Sequence, residues 1–424
     1  MELPFQNDAI VLGVLMVCLG IVFYTSSLKT RFWKIFYTIF PALLMCYMLP
    51  AIVNSVGIIS SKNSNLYFVS SRYLLPAALI LMTLSVDLKS VFRLGSKALV
   101  MFFAGTIGVV IGGPIAILIV SLIMPEAVGG AGFDAVWRGL STLAGSWIGG
   151  GANQAAMLEI YQYNPEKYGA MVLVDIVVAN IWMAFLLFFI ARSQKIDKWL
   201  KADNSSIEEL KQKVITFSEK TKKIPMLTDY KIMLGITFGG VGLSHFGADF
   251  LTDFLKNKFH VIGDKTSALS FFGDKFFWMI TFATLIGLAL SFTKAKNYEG
   301  AGASKLGSVF IYILVATIGM KMDLTKIFDN LGLLLVGIIW MAVHVGLMFI
   351  VAKIIRAPLF FLAVGSKANI GGAASAPVVA SAFHPSLATV GVLLAVLGYI
   401  VGTYAAMLSA FLMEYVSVTQ GFMG

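Results

Sequence analysis

Apolar stretches long enough to cross a bilayer, about 20 residues each, recur from one end of this chain to the other. Most of the intervals between them are too short to hold a separate soluble domain. Such a chain folds in lipid. The composition agrees: 58% of the residues are hydrophobic and 13% charged, whereas soluble domains are about half apolar and a quarter charged. Mean hydropathy is +0.86. Runs such as Ala9 to Tyr24 and Met171 to Ala191 are continuously apolar, whereas barrel strands alternate, so the spans are helices. The expected fold class is an all-α polytopic membrane protein.

The segments fall near residues 9–25, 35–58, 68–86, 97–124, 138–162 and 169–191, then 231–255, 276–293, 305–320, 331–355, 358–383 and 387–413. The N-terminus carries Glu2 and Asp8 in place of a basic region, and Lys29, Arg31 and Lys34 follow the first run where a cleavage site would stand. The first helix is therefore expected to be retained. The net charge of +10 does not point to nucleic acid, because the basic residues sit in loops where the positive-inside bias places them. A multi-pass protein of the bacterial cytoplasmic (inner) membrane, surrounded by lipid, is expected. Cys18 and Cys46 lie in apolar runs with no Cys or His cluster near them, so neither a disulfide framework nor a zinc site is indicated.

The chain divides into a first membrane repeat (1–191), a Lys-rich cytoplasmic linker (192–230) and a second membrane repeat (231–424). Within the linker, Ser205-Ser206-Ile207-Glu208-Glu209 offers a capping-box start for an amphipathic helix. The halves echo each other. Asp87-Leu88-Lys89-Ser90-Val91-Phe92 ends the third segment, and Asp323-Leu324-Thr325-Lys326-Ile327-Phe328 ends the ninth. After the next span stands Gly145-Ser146-Trp147-Ile148-Gly149-Gly150-Gly151-Ala152-Asn153-Gln154-Ala155 in one half. The other half has Gly365-Ser366-Lys367-Ala368-Asn369-Ile370-Gly371-Gly372-Ala373-Ala374-Ser375-Ala376-Pro377. If every segment crossed, Lys89–Lys97 would fall outside and the repeats would run parallel. If the Gly-rich segments dip in and return, Lys29–Lys34 and Lys89–Lys97 both become cytoplasmic. The expectation is two inverted repeats, about ten crossings plus two re-entrant hairpins entering from opposite faces.

Glycine doublets and triplets at mid-length free backbone N–H and C=O groups. In hydrocarbon these cost several kcal/mol each unless protein or a water-filled cavity satisfies them. Broken helices near the midplane offer N-terminal dipoles to anions and unwound carbonyls to cations. The candidate binding residues are accordingly Ser146, Gly149, Gly150, Gly151, Asn153 and Gln154 at the first break. At the second they are Lys367, Asn369, Gly371, Gly372 and Ser375. Small residues at matching positions also permit close helix packing. Asp175, in Val172–Ala184 with Asn180 further along, is a candidate coupling-ion ligand or proton carrier. The matching stretch Val390–Gly402 has Leu393 near its place. Lys367 suits either a substrate carboxylate or the role of a bound cation, and a snorkelling position is equally open to it. Glu159 and Lys321 fall near segment ends and are expected at the interface. His344, with no second ligand at useful spacing, is expected to be a packed or hydrogen-bonded helix histidine.

No His-Glu-x-x-His, Gly-x-Ser-x-Gly or Gly-x-x-x-x-Gly-Lys-(Ser/Thr) motif is present, so metalloprotease, esterase and ATP-driven pump signatures are missing. No enzyme and no cofactor is expected.

The twinned Gly-rich segments, each preceded by Asp-Leu-x-x-(Val/Ile)-Phe, resemble the bacterial YjcL-like membrane family across almost the whole chain. That family is similar to the cation:proton antiporter and anion transporter superfamily, which includes the sodium:glutamate and citrate symporters. The resemblance implies inverted repeats, broken helices, a homodimer, and Na⁺- or H⁺-coupled symport of a small, anionic solute. It carries over Gly149, Gly150, Gly151 and Asn153 at one break and Gly371, Gly372 and Ser375 at the other. Ser375 stands where an Asn matching Asn153 would, which weakens a symmetric two-site arrangement. Within the apolar segments no adjacent Asp-Asp or Asn-Asp pair of the antiporter branch is found. A cation/proton exchanger, a membrane sensor or scaffold, and an intramembrane enzyme are the alternatives.

Overall fold

The structure is a computed structural model that describes residues 4–84, 94–203, 225–259, 273–322, 324, 330–384 and 387–421. Both Asp-Leu-x-x-(Val/Ile)-Phe echoes and the linker capping box Ser205–Glu209 lie outside the described residues, apart from Leu324.

The chain is helical, as continuous apolar runs require. Helix α1 (Asp8–Ser27) starts on Asn7, whose side chain accepts from the amides of Ala9 and Ile10. It buries Val11, Leu15, Cys18 and Val22, one stripe, and leaves Met16, Val17, Phe23 and Tyr24 exposed. Helices α2 (Arg31–Ile39) and α3 (Ala42–Ser55) are separated by a bend at Phe40-Pro41, where proline disfavours helix in the residue before it. Then come α4 (Leu66–Leu84), with a π-helical turn at Ser70–Leu74, and α5 (Ser96–Ser121). Two half-length helices follow, α6 (Val136–Gly149) and α7 (Gly151–Tyr161), then α8 (Tyr168–Ile190) and the short α9 (Ser193–Leu200).

The second half runs α10 (Leu227–Lys258), α11 (Lys275–Ser291), α12 (Ala303–Gly319) and α13 (Gly332–Ile354). Two more half-length helices, α14 (Leu359–Asn369) and α15 (Gly372–Phe383), precede the long α16 (Ala388–Thr419). Among the described residues, 6 helices are long and apolar enough to cross a membrane, or 7 if the bent pair α2–α3 is one span, and α11 and α12 are shorter apolar helices.

Helices pack in two groups. One joins α5, α8, α13 and α16 to the half-length helices; the other joins α1, α3, α4, α10, α11 and α12. The seam between α5 and α13 is made close by glycine. A Cβ on Gly108 would stand 3.0 Å from the Cα of His344, and one on Gly112 would run into the Trp340 ring. The Trp340 indole instead donates to the Val109 carbonyl at 2.8 Å.

The start of the linker docks on one end of this group. Asp197 of α9 accepts from the Leu359 amide at 2.7 Å and so caps α14. Lys97 at the start of α5 pairs with Asp203 at 3.0 Å, and Lys353 near the end of α13 reaches the Trp199 carbonyl. At the opposite end, Lys167 before α8 pairs with Asp134 before α6 at 2.8 Å. Asn330 before α13 holds the Ala127 carbonyl beyond α5 at 2.9 Å. Helices α6 and α14 therefore begin at opposite ends of the group.

Candidate functional site

Each Gly-rich segment folds back on itself. Helix α6 stops at Gly149 because Gly150 takes φ +80° and ψ −167°, a conformation essentially limited to glycine. Helix α7 then returns, and at its far end the Tyr161 carbonyl accepts from the Arg138 guanidinium near the start of α6, at 2.7 Å. In the second hairpin Gly371 (φ +98°) makes the break, and the rings of Phe360 and Phe383, at the outer ends of α14 and α15, lie 5.3 Å apart. Helix α6 touches both α14 and α15, so the two hairpins meet.

Two fully buried asparagines fasten the hairpins to long helices. The Asn153 amide donates to the Gly149 carbonyl at 2.8 Å, across the first break. Its oxygen accepts from the hydroxyl (2.8 Å) and amide (2.9 Å) of Thr403 on α16. Asn369 accepts from the Thr106 hydroxyl on α5 at 2.8 Å and donates to the carbonyls of Phe102 and Gly365, both at 2.9 Å. Ser375, aligned with Asn153 by sequence, makes among the described residues a single, 3.4 Å bond to the Ile370 carbonyl. Asn369 is thus the second hairpin's anchoring amide, although it lies in the first arm.

Asp175 lies where α8 passes the first hairpin and is 7% exposed. One carboxylate oxygen accepts from the Trp147 indole at 2.7 Å. The other accepts from the Ser146 hydroxyl at 2.6 Å and the Gln154 amide at 3.1 Å. Both hairpin arms therefore converge on one carboxylate. Lys367 of α14, 3% exposed, acts on Asp175 across the core through its charge. Among the described residues its ammonium has one hydrogen bond, a 3.5 Å contact with the Ala179 carbonyl of α8, and it lies 3.4 Å from where a Cβ on Gly371 would stand. Lys367 is thus inside the core rather than snorkelling. Asn180 does not join the site. It lies five residues beyond Asp175, about 140° further round the helix, and is exposed. Gly151 begins α7 and faces Ile311, 3.6 Å from its Cβ position.

Beside this lies a polar chain that helical spacing alone does not reveal. His344 Nδ1 faces the Gly105 carbonyl at 3.0 Å; a carbonyl only accepts, so Nδ1 carries the proton. Nε2 then accepts from the Ser366 hydroxyl at 2.8 Å, whose oxygen takes the Trp182 indole N–H at 2.8 Å. His344 is a hydrogen-bonded helix histidine that ties α5, α13, α14 and α8 together. Among the described residues no three His, Cys, Asp or Glu side chains converge as a metal site would require.

Sequence reading passes over Trp147, Thr106, Thr403, Trp182 and Ser366 as ligands of these groups. Trp147 and Ser366 stand inside the Gly-rich segments, where a polar side chain beside a helix break was the available signal. Thr106 and Thr403 are single hydroxyls in long apolar helices and carry no such mark.

The chain matches the family described as "Protein of unknown function (DUF819)" over residues 13–416, and it belongs to that family. It is 25% identical over 373 residues to the "Uncharacterized membrane protein YjcL" of Bacillus subtilis (strain 168), covering 83% of this chain and 85% of that protein.

Proposed function

We propose that this member of the family is a secondary active transporter. It moves a small anionic solute across the bacterial inner membrane by cation-coupled symport and alternating access, relocating the solute without altering it. The observation that carries the reading is Asp175: a buried carboxylate gripped by both arms of one glycine-broken hairpin, within electrostatic reach of a buried lysine in the other. Charge at membrane depth is costly and is retained where ions or substrates pass.

The architecture in this reading is two inverted repeats, with ten crossings formed by α1, α2–α3, α4, α5, α8, α10, α11, α12, α13 and α16, and the hairpins re-entrant. Paired packing supports it. Helix α3 packs on α12 as α11 packs on α4, α1 on α3 and α12 as α10 on α11 and α4, and α16 on the first hairpin as α8 on the second. The group containing the hairpins is the moving body, the other group is the frame and the surface for a homodimer, and the Lys-rich linker is cytoplasmic.

A thermal-shift screen of the detergent-solubilised protein against carboxylates and amino acids tests the reading. A ligand at 100 times its Kd stabilises by about 2.7 kcal/mol. A stabilising solute that is then taken up by proteoliposomes supports transport. A chemically changed product, or no response to any solute, contradicts it.

A further inference from the structure

If the hairpins form a transport site as proposed above, the atoms around Asp175 select the coupling ion. Hard cations are held by converging oxygen ligands. Asp175 instead faces donors: the Trp147 indole N–H on one oxygen, the Gln154 amide and the Ser146 hydroxyl on the other. A carboxylate accepting three hydrogen bonds has filled most of its lone-pair sites, and an indole has no acceptor to offer a cation. Trp147 is also fixed, fully buried with its ring 5.2 Å from that of Trp340 in an edge-on contact. A sodium ion at Asp175 would meet the positive ends of these dipoles and would require Trp147 to leave.

A proton makes no such demand. When the carboxylate becomes a carboxylic acid, its new O–H needs one acceptor. Rotation of the Ser146 hydroxyl, or a flip of the Gln154 amide, supplies one without moving a heavy atom of the backbone. Among the described residues, the other charged and titratable groups whose charge reaches the site are Lys367 from α14, Tyr47 from α3 and Tyr168 from α8 itself, with His344 of α13 within reach of Lys367. Among these, Lys367 is the balancing positive charge.

We propose that the coupling ion is the proton and that Asp175 carries it. In the empty site the Asp175 carboxylate and the Lys367 ammonium compensate each other. A monoanionic solute placed against Lys367 adds one negative charge to a low-dielectric core, and Asp175 takes up one proton from the aqueous side then open, restoring the balance. One proton enters with each monoanionic solute, and the cycle is electroneutral.

The test uses the purified full chain and no solute. Thermal unfolding is followed from mildly acidic to mildly alkaline pH at fixed ionic strength, with Na⁺ or choline as the cation, for the wild type and Asp175→Asn. The proposal expects melting temperatures indifferent to the exchange of Na⁺ for choline. It also expects a wild-type pH profile that diverges from that of Asp175→Asn. A Na⁺-specific stabilisation, or parallel profiles, overturns it. Should Asp175→Asn fail to fold, infrared difference spectra of the wild type decide. A buried carboxylic acid band that grows as pH falls and ignores Na⁺ is expected; a band absent throughout, or erased by Na⁺ at constant pH, overturns it. A Na⁺ response removes the proton assignment and leaves the transport reading standing, whereas failure to carry any solute removes the transport reading and leaves the titration untouched.

Discussion

The Arg72 guanidinium meets the Glu159 carboxylate at 2.6 Å, tying the π-helical turn of α4 in one helix group to α7 of the first hairpin in the other. The Arg72 side chain also lies over the Phe276 ring of α11, 4.4 Å from its centre. Its carbonyl, in a turn where the regular helical ladder is broken, is taken by His245 Nε2 of α10 at 2.8 Å. Three helices of the frame thus position one cation for one hairpin carboxylate.

Because the two side chains are only partly exposed, 27% and 11%, the pair is screened less than a surface ion pair. Residues joined in this way show coupling energies of about 0.5–3 kcal/mol. A double-mutant cycle of Arg72→Ala and Glu159→Ala, read by denaturation in mixed micelles, should give coupling near the middle of that range. Strict additivity would mean that the contact does not join the two groups energetically.

The α5–α13 seam leaves no space beyond hydrogen at Gly112, where a Cβ would collide with the Trp340 indole. Overpacking of this kind costs about 1–3 kcal/mol. Gly112→Val should lower the melting temperature and free the Trp340 indole, seen as a shift in its fluorescence. An unchanged melting temperature would show that the seam can open.

Asn369 satisfies a hydroxyl and two carbonyls at once. Removing it leaves the buried Thr106 hydroxyl the longer 3.2 Å contact with the Phe102 carbonyl, a loss of about 0.5–1.5 kcal/mol. Asn369→Ala should be destabilised by that amount, and Asn369→Asp should be no better, because its carboxylate would face the Phe102 and Gly365 carbonyls. Full rescue by aspartate would contradict the donor assignment.

The proton of His344 should reside on Nδ1, since its partner there is a carbonyl, with Nε2 accepting from Ser366. Nitrogen NMR of labelled protein distinguishes the two tautomers. Trp182→Phe, which removes the donor to Ser366, should leave the tautomer unchanged; a proton found on Nε2 would reverse the whole chain.

The helical class and the two breaks were legible because hydropathy and glycine placement are local properties of the chain. So were Asp175 and the hairpin polar residues, since a charge or amide in an apolar run stands out. What the sequence could not place was partnership. Glu159 stands near a segment end, and its position does not name Arg72, with which it is paired across the helix groups. Asn180 reads as a neighbour of Asp175 but faces away, because a helix turns about 100° per residue. Ser375 aligns with Asn153, whereas the anchoring amide is Asn369, six residues earlier. These partnerships have one cause: chain distance sets a helical face, and tertiary packing decides what that face meets.

The central claim, that the hairpin breaks form a transport site, is tested most directly at Gly150. Its backbone conformation costs another residue about 1–3 kcal/mol, so Gly150→Ala should distort the tip while the long helices fold. The measurement is uptake of labelled succinate, glutamate, lactate and citrate into proteoliposomes. The wild type is predicted to accumulate at least one of them, and Gly150→Ala to do so about tenfold more slowly, the rate equivalent of about 1.4 kcal/mol. Equal uptake by wild type and variant, or uptake of none of the four by the wild type, would contradict the account.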